Sequence, residues 1–580
     1  MMGVLSQVSL SAIVIVTFAN ISLAEITCLR CHADENIEQL IWEREIHPDF
    51  SQIDIPDWAK VENLGGTVTN IQTPGSSNAF SEPILGLSEA DLKKHISGDA
   101  FFEQAFVPAP NPDYTNFAGL GPVFNDNACE TCHQKDGRFH LPSIKSDGQK
   151  VKLMDSGIFL RISIEDEGTY QGENGSVKRS KDNLWGAPTA VPNFSDQLFH
   201  RSASRNKPVR AMFEDADGNI DWQSLQSGQA DVWISIDGVK TMTYADGTQI
   251  TLTKPTLWVD NPYDAPDNGA VFDEIEISED AQSRLFKPDV RFSPRIGMPV
   301  FGLGLLEAIK EEDILSQVNN DSRKNNGITG KANWVYDAQK HEKCMAENNC
   351  DSNPPVSLGR FGWKASTPSV RQQSLGALRG DIGITNSMFG KESIDGTDLW
   401  NAYLELNPDF KEYATNNNQP ESTKEFDDAV TFYSQTLAVP ARINAQDKDV
   451  IKGTQLFTDA NCTACHTPSY VTGNDHEIEQ FRNQTIYPFS DMLLHDMGED
   501  LADGRRDFEA NGKEWKTRPL WGIGKTKTVN PTAGFLHDGR AKTLEEAILW
   551  HGGEGERSRE YFRQLSKEDR DFLIKFLLSL

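Results

Sequence analysis

Gly119-Leu-Gly-Pro-Val-Phe-Asn-Asp-Asn-Ala-Cys129-Glu-Thr-Cys132-His133, continuing as Gln134-Lys-Asp-Gly-Arg138, is the stretch around which the rest of the chain is organised. Its centre is Cys-x-x-Cys-His, the pattern of covalent c-type haem attachment. The spacing is set by chemistry. Two thiols add across the two vinyl groups of one haem, and the histidine that follows is held under the iron as proximal ligand. The pattern recurs at Cys28-Leu-Arg-Cys31-His32 and at Cys462-Thr-Ala-Cys465-His466. The chain has only 8 cysteines and 12 histidines, so three such motifs do not arise by chance. Two haems c are expected at 129–133 and 462–466, and a third at 28–32.

A chain of 580 residues is long enough for three or four domains. Its 56 basic and 86 acidic residues leave a net charge of −30. That balance argues against nucleic acid and anionic membrane surfaces as partners. It suits both simple solubility and the steering of a basic redox partner. Residues 4–19 are mostly apolar, and Ser22-Leu23-Ala24 resembles an export cleavage site, which places a signal segment at 1–24. No Lys or Arg precedes Arg30, so an uncleaved anchor is the alternative, and membrane contact is expected only in that case. Export to the periplasm fits haem that is attached outside the cytoplasm. It also permits Cys344 and Cys350 to pair across a small loop.

Along the chain, residues 25–64 form a short haem-bearing extension. His47 is its candidate sixth ligand, because no methionine lies between Met2 and Met154. Ser88 and Asp91 mark a helix start, with His95 on the helix face. Residues 150–290 read as β-rich: Leu160-Arg-Ile-Ser-Ile and Val232-Trp-Ile-Ser-Ile alternate, and Asp246-Gly247 divides a hairpin. The acidic turns at 164–176 and 214–219 are weighed for Ca²⁺ and read as solvated surface. Helix is expected from Ser293 through Ile309 and over Glu311–Val318, a loop excursion over 319–356, a helix through Gln372-Gln373, and a linker at 412–423. Helices at Phe426–Leu437 and after Asp447 or Asp449 follow, and Phe572, Leu573, Phe576, Leu577 and Leu580 share a face of the last one.

Several blocks together resemble the di-haem oxidoreductase ("thiol oxidoreductase") family of the bacterial di-haem cytochrome c peroxidase superfamily. They are Gly119–Asn125 with the haem motif and Asp136-Gly-Arg138, Gly302-Leu-Gly-Leu-Leu-Glu-Ala-Ile, Gly359-Arg-Phe-Gly-Trp-Lys-Ala, Gly380-Asp-Ile-Gly-Ile-Thr-Asn, Leu493-Leu-His-Asp-Met-Gly, and Phe535-Leu-His-Asp-Gly-Arg with Trp550-His-Gly-Gly-Glu. The resemblance runs from about residue 65 to 580. The first haem motif falls outside it and resembles the extra haem of tri-haem peroxidases. The expected architecture is mainly α: two cytochrome c-like haem domains at 65–425 and 426–580, the first carrying the β-rich insertion.

The resemblance implies a peroxidase. The haem of His466 passes electrons and the haem of His133 reduces hydrogen peroxide, with a small cytochrome c or cupredoxin as donor. His551 closes a Thr-Leu-Glu-x-Ala-Ile helix start where the superfamily keeps its sixth ligand, with Met497 as rival. Asp381 stands at the acid–base position; Glu307, Gln372 and Gln373 are further polar candidates. Trp363 stands where the superfamily places an inter-haem tryptophan, with Trp521 as fallback. His140 or His200 could cap the His133 iron at rest; His341 and His476 read as structural. A Ca²⁺ between the haem domains is common in the superfamily, and no loop here specifies it. Two other readings keep the same haems: oxidation of a protein or organic substrate, and pure electron transfer.

Overall fold

The computed structural model describes residues 56–580 apart from 110, 112–116, 140–149, 153–156, 166–169, 172–176, 179–184, 193, 203–225, 228, 261–284, 286–287, 319, 398–399, 402–403, 405–407 and 417–419. The signal segment, Cys28, Cys31, His32, His47 and His140 lie outside the described residues, as do most of the acidic turns weighed for Ca²⁺.

Helices begin where a polar side chain takes up a backbone N–H left free in the first turn. Ser88 accepts from Asp91 N at the head of α1 (Glu89–Glu103). α2 (Cys129–Cys132) is one turn long and ends at His133. α3 (Leu303–Glu307) starts only after Gly302, whose φ of +75° is costly for any residue with a Cβ. Ser369 caps α4 (Val370–Asp381), Thr423 caps α5 (Lys424–Thr436) and Asp447 caps α6 (Lys448–Asp459). Thr543 caps α7 (Leu544–Leu549); α8 (Glu556–Gln564) follows, and Ser566 caps α9 (Lys567–Ser579).

Two close helix crossings organise the core. α1 meets α5 at Gly98, where a Cβ would overlap the Ala429 carbonyl and Tyr433 Cβ. α6 meets α9 at Gly453, where a Cβ would overlap the Phe572 carbonyl. α5 also packs on α3 and α4, and Ala429–Thr436 is buried throughout. Phe457, Phe489 and Phe576 form a ring cluster beside the α6–α9 crossing, with centroids 4.9–6.5 Å apart. Residues Ile53–Leu580 make one compact unit.

The expected β-rich segment contains β1 (Ile158–Ile164), β2 (Gln197–Leu198), β3 (Asp231–Thr243) and β4 (Gln249–Asp260). β3 and β4 form the hairpin about Asp246-Gly247, in antiparallel register from Thr243↔Gln249 to Asp231↔Asp260. Its tip lies against the C-terminal helices: Arg570 pairs with Asp246 at 2.9 Å, and the Tyr244 hydroxyl donates to Glu545.

Three expectations are corrected. Residues 293–296 are not helical but belong to β5 (Val290–Ile296), antiparallel to β1, in a sheet of order β5-β1-β2. Pro294 and Pro299 break a helix there, and Gly302 delays the next one. The stretch 319–356 is not a bare loop. Trp334–Tyr336 pairs with Val356–Leu358, and the helix Ala338–Ala346 is tied by the Cys344–Cys350 disulfide, Cα atoms 4.9 Å apart. The start of the expected linker is helical, Pro408–Asn416, because Phe410 is buried against Trp400 and Tyr413. Among the described residues no helix is long and apolar enough to cross a membrane.

Gly453→Leu should force α6 off α9 and cost about 1–3 kcal/mol or more. Gly390→Ala, with nothing within 4 Å of the added Cβ, should stay within about 0.5 kcal/mol. Thermal unfolding followed by circular dichroism compares the two.

Candidate functional site

α6 runs into Asn461, whose φ of +60° turns the chain so that Cys462–Ala464 begins a tight helical turn. Cys462, Cys465 and His466 thereby line a cavity of about 200 Å³. His551 and Met497 line the same cavity, as do Trp363 and the cations Arg138, Lys516 and Arg518. His466 donates Nδ1–H to the Phe489 carbonyl at 2.9 Å, and His551 donates its own to Ala547 at 2.8 Å. Such bonds fix the ring orientation and leave Nε2 free for a metal. Burial pushes His466 down to about 4 and lowers His551 too, which keeps both rings neutral, as ligation requires.

The central motif obeys the same rule. His133 donates Nδ1–H to the Met298 carbonyl at 2.6 Å, and burial lowers its pKa. β5 delivers that carbonyl. Gly297 makes the approach possible, since a Cβ there would overlap the Cys132 carbonyl. The strand end also ties two other parts of the site: the Ile296 carbonyl accepts from Trp363 Nε1 at 3.0 Å, and Ile296 N donates to the His537 carbonyl at 2.8 Å.

Asp381 is brought to this motif by glycines. Gly383, with φ +73°, lies so close to Gly121 that a Cβ on either would meet the other's backbone. The C-terminus of α4 therefore rests on the Gly119–Asn125 stretch, and Asn125 N donates to the Asp381 carbonyl at 2.8 Å. The Asp381 carboxylate accepts from Gln197 Nε2 at 2.8 Å and sits 3.4 Å from Arg161. Burial raises its pKa against the pull of Arg161 and Gln197. It is close enough to Cys129 and Cys132 to help push both thiols up. Next to the same motif, buried Asp136 accepts from the Tyr433 hydroxyl at 2.8 Å, and burial pushes its carboxyl up to about 7.

The other candidates fall elsewhere. Glu307 accepts from Val370 N and Gln435 Nε2, both at 2.8 Å, so it caps α4, and it faces His476 in a separate polar cavity. Gln373 accepts from the Thr367 hydroxyl, and Gln372 bonds the backbone of Ala338 and Tyr336. Trp363 is buried, with the Arg138 and Arg518 guanidiniums 5.6 and 5.3 Å from its ring. Trp521 packs under Gly302. His95 bonds Thr436, His200 bonds Asn125 and His341 bonds Tyr336. Among the described residues no group of three or more His, Cys, Asp or Glu is arranged to hold a lone metal ion.

The residues fit haem. The four thiols of these two motifs are free of disulfides. Burial pushes Arg138 down to about 10 and Arg518 down to about 9, and among the described residues Arg138 Nη1 and Arg518 Nε have no hydrogen-bond partner. Buried cations call for buried anions, and the two propionates of a haem supply them. Sequence reasoning missed these cations, although Arg518 sits conspicuously in the apolar Arg-Pro-Leu-Trp block. It also missed Gln197 and Arg161, for which no local signal exists.

His495 was quoted in a motif without a role. It bridges Asp491 at 2.8 Å and Glu554 at 2.6 Å, so both ring nitrogens are engaged. Burial is the largest single effect and opposes its charge, but the charges and hydrogen bonds of Asp491 and Cys465 together outweigh it and hold His495 well above its ordinary value. His495→Leu should therefore cost about 3–5 kcal/mol by stranding buried carboxylates. The contribution of a raised histidine is full below the unfolded value of about 6.5 and is lost as pH rises through the folded one. The deficit of the variant, read by denaturant titration, should thus be largest in mild acid and shrink in alkali.

Residues 58–580 match the family described as "Di-haem oxidoreductase, putative peroxidase". Among curated proteins the chain is similar to a cytochrome c551 peroxidase of Nitrosomonas europaea, 23% identical over 161 residues. That alignment spans 26% of this chain and 42% of that protein, less than half the relative's length. Solved structures with partial likeness include a hydrazine synthase of Kuenenia stuttgartiensis, at 18% identity over 28% of this chain and 57% of that one, with a TM-score of 0.19. Another is a MauG-like protein associated with microbial copper homeostasis, at 15% identity over 38% and 71%, with a TM-score of 0.23. The family match covers nearly the whole chain and includes both described haem motifs with their anchored histidines: the chain belongs to the di-haem oxidoreductase family.

Proposed function

We propose that this oxidoreductase is an exported, periplasmic c-type cytochrome peroxidase. It reduces hydrogen peroxide at the haem of Cys129, Cys132 and His133. Electrons from a small cytochrome c or cupredoxin arrive through the haem of Cys462, Cys465 and His466. The observation that carries the reading is the Asp381 carboxylate set beside the central motif, while His551 and Met497 stand in the cavity of the other.

Bound haem would supply the redox-active iron for cleavage of the O–O bond. The chain supplies the proton chemistry. Asp381 takes a proton from one peroxide oxygen and returns it to the other, which leaves as water. Arg161 and Gln197 hold the carboxylate in place. Burial raises its pKa toward the working range, as a group that both accepts and donates requires. His551 would help to hold the iron of the C-terminal haem, its Nδ1 anchored and its Nε2 free; Met497 is the alternative. Trp363 carries electrons between the two motifs. Glu307 and Gln373 take second place to Asp381 because their polar atoms are engaged by α4 and by Thr367. The part around the central motif corresponds to 65–425 and the electron-transfer part to 426–580.

Asp381→Asn should lower peroxide turnover about 10²–10⁴-fold with haem content unchanged, and Glu307→Gln far less. Steady-state assay with a reduced cytochrome c reads both. A wild-type protein whose haems all stay low-spin and whose spectrum peroxide leaves unchanged would sink the proposal. The Cys28-x-x-Cys31-His32 motif is proposed to carry a third haem. Pyridine haemochrome should then give three haems per chain, and two after Cys28→Ser with Cys31→Ser.

A further inference from the structure

Peroxide takes two electrons in becoming water, while small donor proteins deliver them singly. Between deliveries an oxidising equivalent could rest on the second haem, when bound, or on a side chain, and the side chains near the motifs differ in how well they could hold it. Trp363 is a poor resting place. Its indole N–H donates to the Ile296 carbonyl, which cannot take the proton, and guanidiniums flank the ring. Tyr433 is the opposite case. It is 1% exposed, and its hydroxyl donates to the Asp136 carboxylate at 2.8 Å. Its ring lies 5.3 Å from Phe102, and Phe102 lies 6.0 Å from the ring of His133, in each case between centroids. A packed aromatic path thus leads from the proximal histidine of the central motif to a phenol with a base already in hydrogen-bond contact.

We infer that Tyr433 and Asp136 form a proton-coupled redox site that holds one oxidising equivalent during peroxide reduction. The inference rests on the peroxidase reading. In the storing step Tyr433 loses one electron, through Phe102 and His133, to the centre that peroxide has oxidised. Its hydroxyl proton passes along the existing hydrogen bond to Asp136. The products are a neutral tyrosyl radical and a neutral carboxylic acid, so no net charge is created in the interior. A donor electron reverses both transfers. Loss of the proton without the electron is disfavoured, since burial and then the charges of Asp136 and Asp99 hold the phenol far above its ordinary value. Electron and proton therefore move together. The bland alternative, a tyrosine that only satisfies a buried carboxylate, predicts no radical.

The test treats the haem-loaded full chain with one equivalent of hydrogen peroxide, freezes it within milliseconds and records optical and electron paramagnetic resonance spectra. The expected result is an organic radical whose hyperfine structure collapses when ring-deuterated tyrosine is incorporated. It should be absent in Tyr433→Phe of unchanged haem content. In the double variant Asp136→Asn with Asp99→Asn, where the phenol has lost both neighbouring carboxylates, it should fall to background; this serves as the second variant if Tyr433→Phe folds poorly. An optical reaction with no tyrosine radical, or with one undiminished in both variants, overturns this site and leaves the peroxidase reading intact. No optical reaction in the wild type overturns the peroxidase reading and this inference with it.

Discussion

Each haem-motif histidine in the described part of the chain depends on one bond: its Nδ1–H must find a fixed backbone carbonyl so that Nε2 can face a metal. For His133 that carbonyl belongs to Met298, for His466 to Phe489 and for the facing His551 to Ala547. Much of the architecture serves these three contacts. The second half of β5 runs where helix was expected, and just past its end Met298 meets His133, with Gly297 letting it come that close. The hairpin β3–β4 reaches to the helices that carry His551, through Tyr244 and Glu545 and through Asp246 and Arg570. The β-rich segment is thus a brace for the C-terminal helices as much as a neighbour of the central motif.

Charge is distributed against the overall balance. A chain of net charge −30 keeps Arg138 and Lys516 buried and Arg518 half-buried around the cavity of the C-terminal motif. Burying a cation without a counter-ion is costly, so the cavity is shaped for a bulky anion. Nearby, His495 takes the opposite arrangement and stays protonated between two carboxylates. At the central motif carboxylates sit among cations instead: buried Asp126 pairs with Arg201, half-buried Asp381 with Arg161, and buried Asp136 accepts from Tyr433. The two motifs share a sequence pattern and differ in electrostatic surroundings, which is the physical basis for assigning them different tasks.

Local signals were legible where they depend on neighbours in sequence. Ser88, Thr423, Asp447 and Ser566 each cap the helix that follows, and Asp246-Gly247 turns the hairpin. Reading failed where a segment's state is set by a distant partner. Residues 293–296 are strand because β1 lies alongside them, and Pro408–Asn416 is a helix because Phe410 finds aromatic partners. Glu307, read as a carboxylate for catalysis, is engaged at the head of α4.

By itself the sequence pointed to haem, since Cys-x-x-Cys-His is a pattern of near neighbours and needs no fold to be read. It also determined the family, through blocks whose residue types survive as text. Only the tertiary structure decided which groups surround each motif. Asp381 reaches Cys129 and Cys132 because Gly121 and Gly383 let two backbones touch, and Tyr433 reaches Asp136 because Gly98 lets α5 lie against α1. Those meetings depend on the absence of side chains at positions far apart in the chain, a constraint that appears only when the backbones are packed together.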